Sequence, residues 1–348
     1  MEDTDRPILA APGHARRAIV GRLVFLLLTL ISLYVLWPSL LNVFRAWPEL
    51  LSLNPVWFFV MFAVEVLSFA AIWMLQRLAL RVRGWRAVIK AHLAGNAFSR
   101  IVPGGAAAGG AIQFRFLVQS GVPATTVGAG LTAAGLISTA TLFALPLLTL
   151  PAMLAGRPVP RGLAQAAFLG VGVFVLAVAT GVILVRTDGL LRVAGISIQT
   201  IRNRLHRKEA PTTDLPGRLL VERDAVLRTL GPRWWQALLA GLANWLFDYL
   251  ALLAALTAVG SRPRPTLVLL AYVASMVLAM IPLTPGGLGF VEAGLTATLV
   301  LARVSAADAV LATLAYRLVA YWLPLPAGLI AAGLHRRRFA NDQAPSTA

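Results

Sequence analysis

Residues 281–294 read Ile-Pro-Leu-Thr-Pro-Gly-Gly-Leu-Gly-Phe-Val-Glu-Ala-Gly, and residues 95–117 read Gly-Asn-Ala-Phe-Ser-Arg-Ile-Val-Pro-Gly-Gly-Ala-Ala-Ala-Gly-Gly-Ala-Ile-Gln-Phe-Arg-Phe-Leu. Each string puts a Pro-Gly-Gly break between two apolar, helix-like runs. Proline deletes a backbone donor and glycine favours unwinding. Broken backbone at membrane depth is tolerated only where protein or a cavity covers it. Two such breaks, one in each half of a membrane chain, are the sequence pointer to a transport site.

The flanking sequence is of membrane type. The chain of 348 residues is 58% hydrophobic and 13% charged, against about a quarter charged for a soluble domain. Its mean hydropathy is +0.77. Apolar runs of about 20 residues, the length needed to cross the hydrocarbon core, are expected near 22–41, 56–80, 123–150, 163–185, 236–259 and 308–333. The run after Arg16, Arg17 and Arg22 is too long for a signal-peptide core and reads as an uncleaved first span.

The net charge of +17 is distributed between spans rather than gathered into a nucleic-acid face. Arg77, Arg81, Arg83, Arg86 and Lys90 follow the second span; Arg202, Arg204, Arg207 and Lys208 lie in a long polar segment after the fourth; His335-Arg336-Arg337-Arg338 ends the last. The positive-inside rule then places both termini in the cytoplasm. Six full spans satisfy that parity. Residues 86–120 and 266–303 are expected to be re-entrant broken hairpins, entering from opposite sides, although full crossings by the second would give eight. The expected organisation is a cytoplasmic segment 1–21, one integral membrane domain 22–338 with a basic cytoplasmic connection at 186–235, and a disordered tail 339–348. Arginine in place of lysine, with much Ala, Gly, Val and Leu, points to a bacterial plasma membrane protein.

No cysteine is present, which removes disulfides, thiol nucleophiles and cysteine metal sites. The four histidines, His14, His92, His206 and His335, form no metal-binding pair, and no phosphate-binding loop occurs. No metal or cofactor is expected.

The two strings, with Ala-Tyr-Arg-Leu-Val-Ala-Tyr-Trp-Leu-Pro-Leu-Pro-Ala-Gly at 315–328, resemble the flippase-like transmembrane family typified by the membrane region of bacterial lysylphosphatidylglycerol synthase/flippase. The resemblance covers nearly the whole chain. It implies movement of aminoacylated or glycosylated lipids between leaflets, and the expected substrate is an anionic or modified phospholipid or a lipid-linked intermediate. The synthase's cytosolic aminoacyltransferase domain has no counterpart after residue 338, so the resemblance implies translocation rather than catalysis, with a separately encoded lipid-modifying enzyme as a partner. Many members carry an acid shortly after the first Pro-Gly; Ala106 to Gly110 contains none, while Arg115 matches the arginine that follows.

Two groups of residues carry the expected chemistry. Gly104, Gly105, Gly286, Gly287 and Gly289 would unwind the breaks and turn backbone N–H groups and a half-helix N-terminus toward an anion. Arg100, Arg115 and Arg317, with Tyr321 one turn beyond the last, fall in or beside apolar runs, where a guanidinium suits a lipid phosphate. Glu65, Asp248, Asn244 on the same helix face as Asp248, and Glu292 in the first turns of a half-helix would balance charge or carry protons. Pro324 and Pro326 predict a kink in the last span, and Ser305-x-x-Asp308 a helix cap. The competing expectations are a membrane-embedded enzyme acting on lipid-linked sugars and a small-solute secondary transporter.

Overall fold

The computed structural model describes residues 41, 46–102, 105–151, 159–205, 213–281 and 284–342. The expected first span, the segment before it, Gly104 and the end of the tail lie outside the described residues. Within them the protein is all-helical: α1 (Trp47–Ser52), α2 (Pro55–Leu80), α3 (Trp85–Ile101), α4 (Gly105–Gln119), α5 (Ala124–Ala144), α6 (Arg161–Arg186), α7 (Asp188–Leu205), α8 (Leu215–Leu230), α9 (Trp234–Ala258), α10 (Pro265–Ala279), α11 (Phe290–Leu301), α12 (Ala306–Arg317) and α13 (Pro324–Asp342). Five helical stretches are long and apolar enough to cross a bilayer: 55–80, 124–149, 161–180, 234–258 and 306–335. They coincide with the expected second to sixth spans. This is a polytopic helical membrane protein.

Local sequence accounts for the ends of these elements. Asn54 caps α2 by accepting the Val56 N–H, and Pro55 occupies the first turn, where its missing donor is not needed. Ser305 caps α12 by accepting the Asp308 N–H at 3.1 Å, as its spacing predicts. The apolar faces of α2 and α6 point outward, with Phe59, Phe62, Phe168, Leu169 and Leu176 exposed, as lipid-facing surfaces require.

The core is built around α10. Leu267 through Val273 are all buried there, among side chains of α9, α11, α12 and the end of α5. Helices α2 and α9 pack along their lengths and are stitched at mid-height by Ser68 and Asn244. The Asn244 amide donates to the Ser68 hydroxyl at 2.9 Å, and the Ser68 hydroxyl donates to the Asn244 carbonyl at 3.0 Å.

Each break turns the chain back upon itself. Helices α3 and α4 pack together through Gly95 and Gly109, where a β-carbon on Gly109 would collide with the Gly95 carbonyl. On its other side α3 receives Gly328 of α13, again close enough that a β-carbon would strike the Leu93 carbonyl. Small residues at these crossings permit backbone-to-backbone approach. The second break joins α10 to α11, tied by Ser275 and Thr298 at 2.9 Å. Helices α10 and α11 have 15 and 12 residues, or about 22 and 18 Å at 1.5 Å per residue, short of a hydrocarbon core about 30 Å thick.

Within the expected basic connection, α7 (Asp188–Leu205) packs on α8 (Leu215–Leu230), with Gly195 against Pro216. Arg223 of α8 ties the pair by an ion pair of 2.6 Å to Asp188 of α7, and also pairs at 2.8 Å with Asp224 on its own helix.

The last span contains a π turn at Leu318–Trp322, with the Leu323 N–H bonded to the Leu318 carbonyl at 3.0 Å. The predicted kink takes this form because Pro324 cannot donate to the Ala320 carbonyl four residues before it. Carbonyls freed at the turn need other donors, and the site supplies them.

Candidate functional site

The two breaks meet at Arg100. This last-turn residue of α3 donates from Nη2 to the Ala320 carbonyl at 3.0 Å and from Nη1 to the Tyr321 carbonyl. The π turn frees those acceptors and the guanidinium occupies them. The Tyr321 hydroxyl returns a hydrogen bond to the Arg100 carbonyl at 3.2 Å. Gly286, in the second break, completes the junction. Its φ of +59° lies in the left-handed region, and a β-carbon there would run into the Tyr321 hydroxyl and lie 3.0 Å from the Arg100 carbonyl. Only glycine meets both demands.

A cavity of about 270 Å³ lies beside this junction, lined from five directions. Helix α2 contributes Glu65 and Ser68, α9 contributes Asn244 and Asp248, and α3 contributes His92, Asn96 and Arg100. Gly286 and Val291 come from the second hairpin, and Tyr316, Arg317 and Tyr321 from the last span. Residues separated by more than two hundred positions thus share one polar chamber inside an apolar bundle.

The two arginines are satisfied differently. Arg317 is 8% exposed, and its Nε and Nη2 both reach Glu292 Oε1 at 2.8 Å. Its Nη2 also approaches the Gly286 carbonyl at 3.5 Å. Arg100 forms no ion pair with any carboxylate among the described residues; it bonds carbonyls and stacks over the Tyr321 ring, 4.6 Å from its centre. Arg317 lies over the same ring at 4.2 Å.

The acids are also unequal. Asp248 Oδ2 accepts from the hydroxyls of Tyr272 and Tyr316, the latter at 2.7 Å. Glu65 from α2 and Asp248 from α9 line the same cavity, on either side of the α2–α9 seam. Glu65 is 6% exposed, and its Oε2 has no partner. Glu292 Oε2 is likewise buried and unpartnered.

Of the residues picked out by sequence, Glu65, Asn244, Asp248, Arg100, Gly286, Arg317 and Tyr321 line the cavity, and Glu292 joins them through Arg317. Arg115 is not brought there: it lies exposed on α4, in the second half of the hairpin's returning arm. The expected cradle of glycine N–H groups takes another form. The Gly287 N–H bonds the Thr284 carbonyl at 3.0 Å, and the Gly105 N–H bonds the Val102 carbonyl at 3.1 Å. The first turn of α11, where an incoming anion was expected, already holds Glu292. Gly289, with φ +76°, caps that helix. The glycines shape the junction, and the guanidiniums supply the positive charge.

Sequence reasoning missed His92, Asn96 and Tyr316. The signal was present: His92, Asn96 and Arg100 recur every four residues and so share one helix face. Behind the cavity His92 Nδ1 bonds Gln76 Nε2 at 3.0 Å, and Gln113 Nε2 donates to Gln76 Oε1 at 2.8 Å. This buried chain ties α4, α2 and α3 together and, with Gln76 donating, leaves the other ring nitrogen of His92 to carry the proton.

A family model described as the lysylphosphatidylglycerol synthase TM region matches residues 20–328. The chain belongs to this family. Its resemblance at the two breaks is therefore part of a match over most of the membrane domain, and the junction of Arg100, Gly286 and Tyr321 lies inside it. Membership makes this a membrane protein related to lipid modification or translocation. A search among curated proteins returned no match.

Proposed function

We propose that this protein moves an anionic or modified phospholipid, or a lipid-linked intermediate, between the leaflets of a bacterial plasma membrane. The observation that carries the reading is the half-buried arginine Arg100, which forms no ion pair with a carboxylate among the described residues. Arg100 faces a partly open cavity with a cluster of polar side chains at the meeting point of two broken hairpins, where a phosphate would find N–H donors and a positive charge. A guanidinium binds two phosphate oxygens at once. Arg317 is the weaker choice for that contact, because Glu292 already holds it.

The helix lengths support re-entrant hairpins: neither α10 nor α11 reaches across a bilayer alone. Movement then consists of opening the α3–α4 hairpin and the α10–α11 hairpin alternately around a fixed chamber, with acyl chains remaining in the bilayer. Both termini lie on the cytoplasmic side in this arrangement, as the basic connections require. A separately encoded enzyme supplies a modified headgroup, and this chain performs no group transfer.

The test is exchange of fluorescently labelled phosphatidylglycerol in proteoliposomes, read as the fraction accessible to an external quencher. The wild-type chain is expected to accelerate exchange, and Arg100→Gln to slow it at least about tenfold, the loss of one charged contact of about 1.5–3 kcal/mol. Wild-type rates in that variant remove Arg100 from the headgroup site. Chemical conversion of the lipid would replace the translocase reading by an enzymatic one.

A further inference from the structure

Counting buried charge exposes an imbalance. Two guanidiniums, Arg100 and Arg317, share the site with three carboxyls, Glu65, Asp248 and Glu292. Arg317 and Glu292 neutralise one another at 2.8 Å. Arg100 is left to face Glu65 and Asp248 together. Two carboxylates lining one small cavity repel strongly in a low-dielectric interior, and the pair is relieved when one of them carries a proton, which also turns it from an acceptor into a donor.

The surroundings say which one. Asp248 receives two hydroxyl donors, from Tyr272 on α10 and Tyr316 on α12, which stabilise an anion there. Glu65 receives no such donor on Oε2, although it is 94% buried by the complement of its 6% exposure. The remaining groups facing the pair are Arg100 and His92 from α3 and Arg317 from α12, with Glu292 and Tyr321 behind Arg317. No lysine and no second carboxylate–arginine pair among the described residues reaches it.

We propose that the Glu65–Asp248 pair is a proton-binding site whose occupancy is linked to anion binding at Arg100. The inference rests on the anionic-lipid reading above. While Arg100 is free, its charge balances one carboxylate, and the pair holds a single proton on Glu65. When an anionic headgroup engages Arg100, that balance is withdrawn and the second carboxyl takes a proton from water. One proton enters per anion, so the loaded chamber is electrically neutral and the loaded site crosses the bilayer without moving net charge. Linkage is reciprocal: a protonated pair binds the anion more tightly. Affinity therefore rises as pH falls, by at most about tenfold per pH unit across the window in which the free site still holds one proton.

The experiment uses the purified full chain in detergent with short-chain phosphatidylglycerol as probe. Calorimetry in two buffers of different ionisation enthalpy counts protons taken up on binding, and the affinity is followed against pH. About one proton per bound lipid is expected in the wild type. Replacing both carboxyls, Glu65→Gln with Asp248→Asn, keeps shape and removes every proton acceptor of the pair, and is expected to bind with little proton uptake and a flattened pH dependence; Glu65→Gln alone, which leaves Asp248 to take the incoming proton, is expected to keep about one. Binding with no proton uptake and a flat pH profile in the wild type overturns the proposal while leaving the lipid reading intact. So does binding that depends on sodium at constant pH. If the probe binds none of these proteins, the lipid reading and the linkage fail together. The resting proton is then judged alone, by the infrared band of a protonated carboxyl: its presence in the wild type and loss in Glu65→Gln retain the site, and its absence from the wild type removes it.

Discussion

The two broken hairpins share a Pro-Gly-Gly plan but are built from different materials. The first, α3 with α4, is closed by glycine against backbone at Gly95 and Gly109 and by the polar chain Gln113–Gln76–His92. The second, α10 with α11, is sunk in the apolar core, with Leu267 to Val273 wholly buried, and carries its charge as a matched pair, Glu292 with Arg317. The first hairpin presents an arginine with no acid of its own; the second presents one already neutralised. The proposed translocation would use both properties: an anchor that keeps its charges satisfied, and a surface whose charge is left available for a passing anion.

The comparison is broken most directly by removing the anchor's acid. Glu292→Ala strands the Arg317 guanidinium in the interior and is expected to destabilise the protein by about 3–5 kcal/mol. Arg100→Gln removes two bonds to carbonyls and is expected to destabilise it by about 1–3 kcal/mol, with its main effect on lipid exchange. Reversible unfolding in mixed micelles measures both, and equal losses would erase the distinction between the two arginines.

A second contrast compares glycines. Gly109→Val forces a side chain into the Gly95 carbonyl and the Ser99 side chain, and is expected to destabilise by about 3 kcal/mol, the upper range for overpacking. Gly294→Ala in the second hairpin meets only the Leu278 Cδ1 methyl at 3.1 Å, which can turn aside, so less than about 1 kcal/mol is expected. If the two shifts in unfolding midpoint are alike, the first hairpin is not closed through its backbone.

The smallest effects sharpen the polar difference. Gln113→Leu leaves Gln76 Oε1 without its donor and is expected to cost about 1–2 kcal/mol. It should also raise amide hydrogen exchange in α3 and α4 while leaving α10 and α11 protected. Thr298→Val, which removes the 2.9 Å bond to Ser275, is expected to cost about 1 kcal/mol and to act on the second hairpin alone. Exchange that spreads equally over both hairpins in either variant would show one cooperative unit instead of two.

Much of this was legible from residues alone. The five spans within the described region, the two breaks and the acids and arginines of the cavity follow from local chemistry. Arg100 illustrates the limit. Its position beside the first Pro-Gly-Gly marked it, but its partners, the carbonyls of Ala320 and Tyr321, lie 220 and 221 residues away. Pro324 announced a kink; that the freed acceptors would be filled by an arginine from the other half of the chain was not written near it. The glycine breaks show a second limit. Unwinding at Gly286 and Gly287 was expected to expose N–H groups to an anion; in the fold the tight turn bonds the Gly287 N–H internally, and the empty β-carbon space at Gly286 admits Tyr321.

The sequence by itself determined that this chain is a helical membrane protein, where its helices break, and which charged residues must be buried. Those properties depend on hydropathy over about 20 residues, on the absent proline donor and on the conformational freedom of glycine, all of which act locally. Only the tertiary structure decided which arginine is paired and which is left facing the cavity, that Glu65 and Asp248 share that cavity, and that His92 is held from behind by Gln76, itself held by Gln113. Those outcomes depend on which helices pack together, and a charge buried among neighbours takes its character from groups far away in sequence.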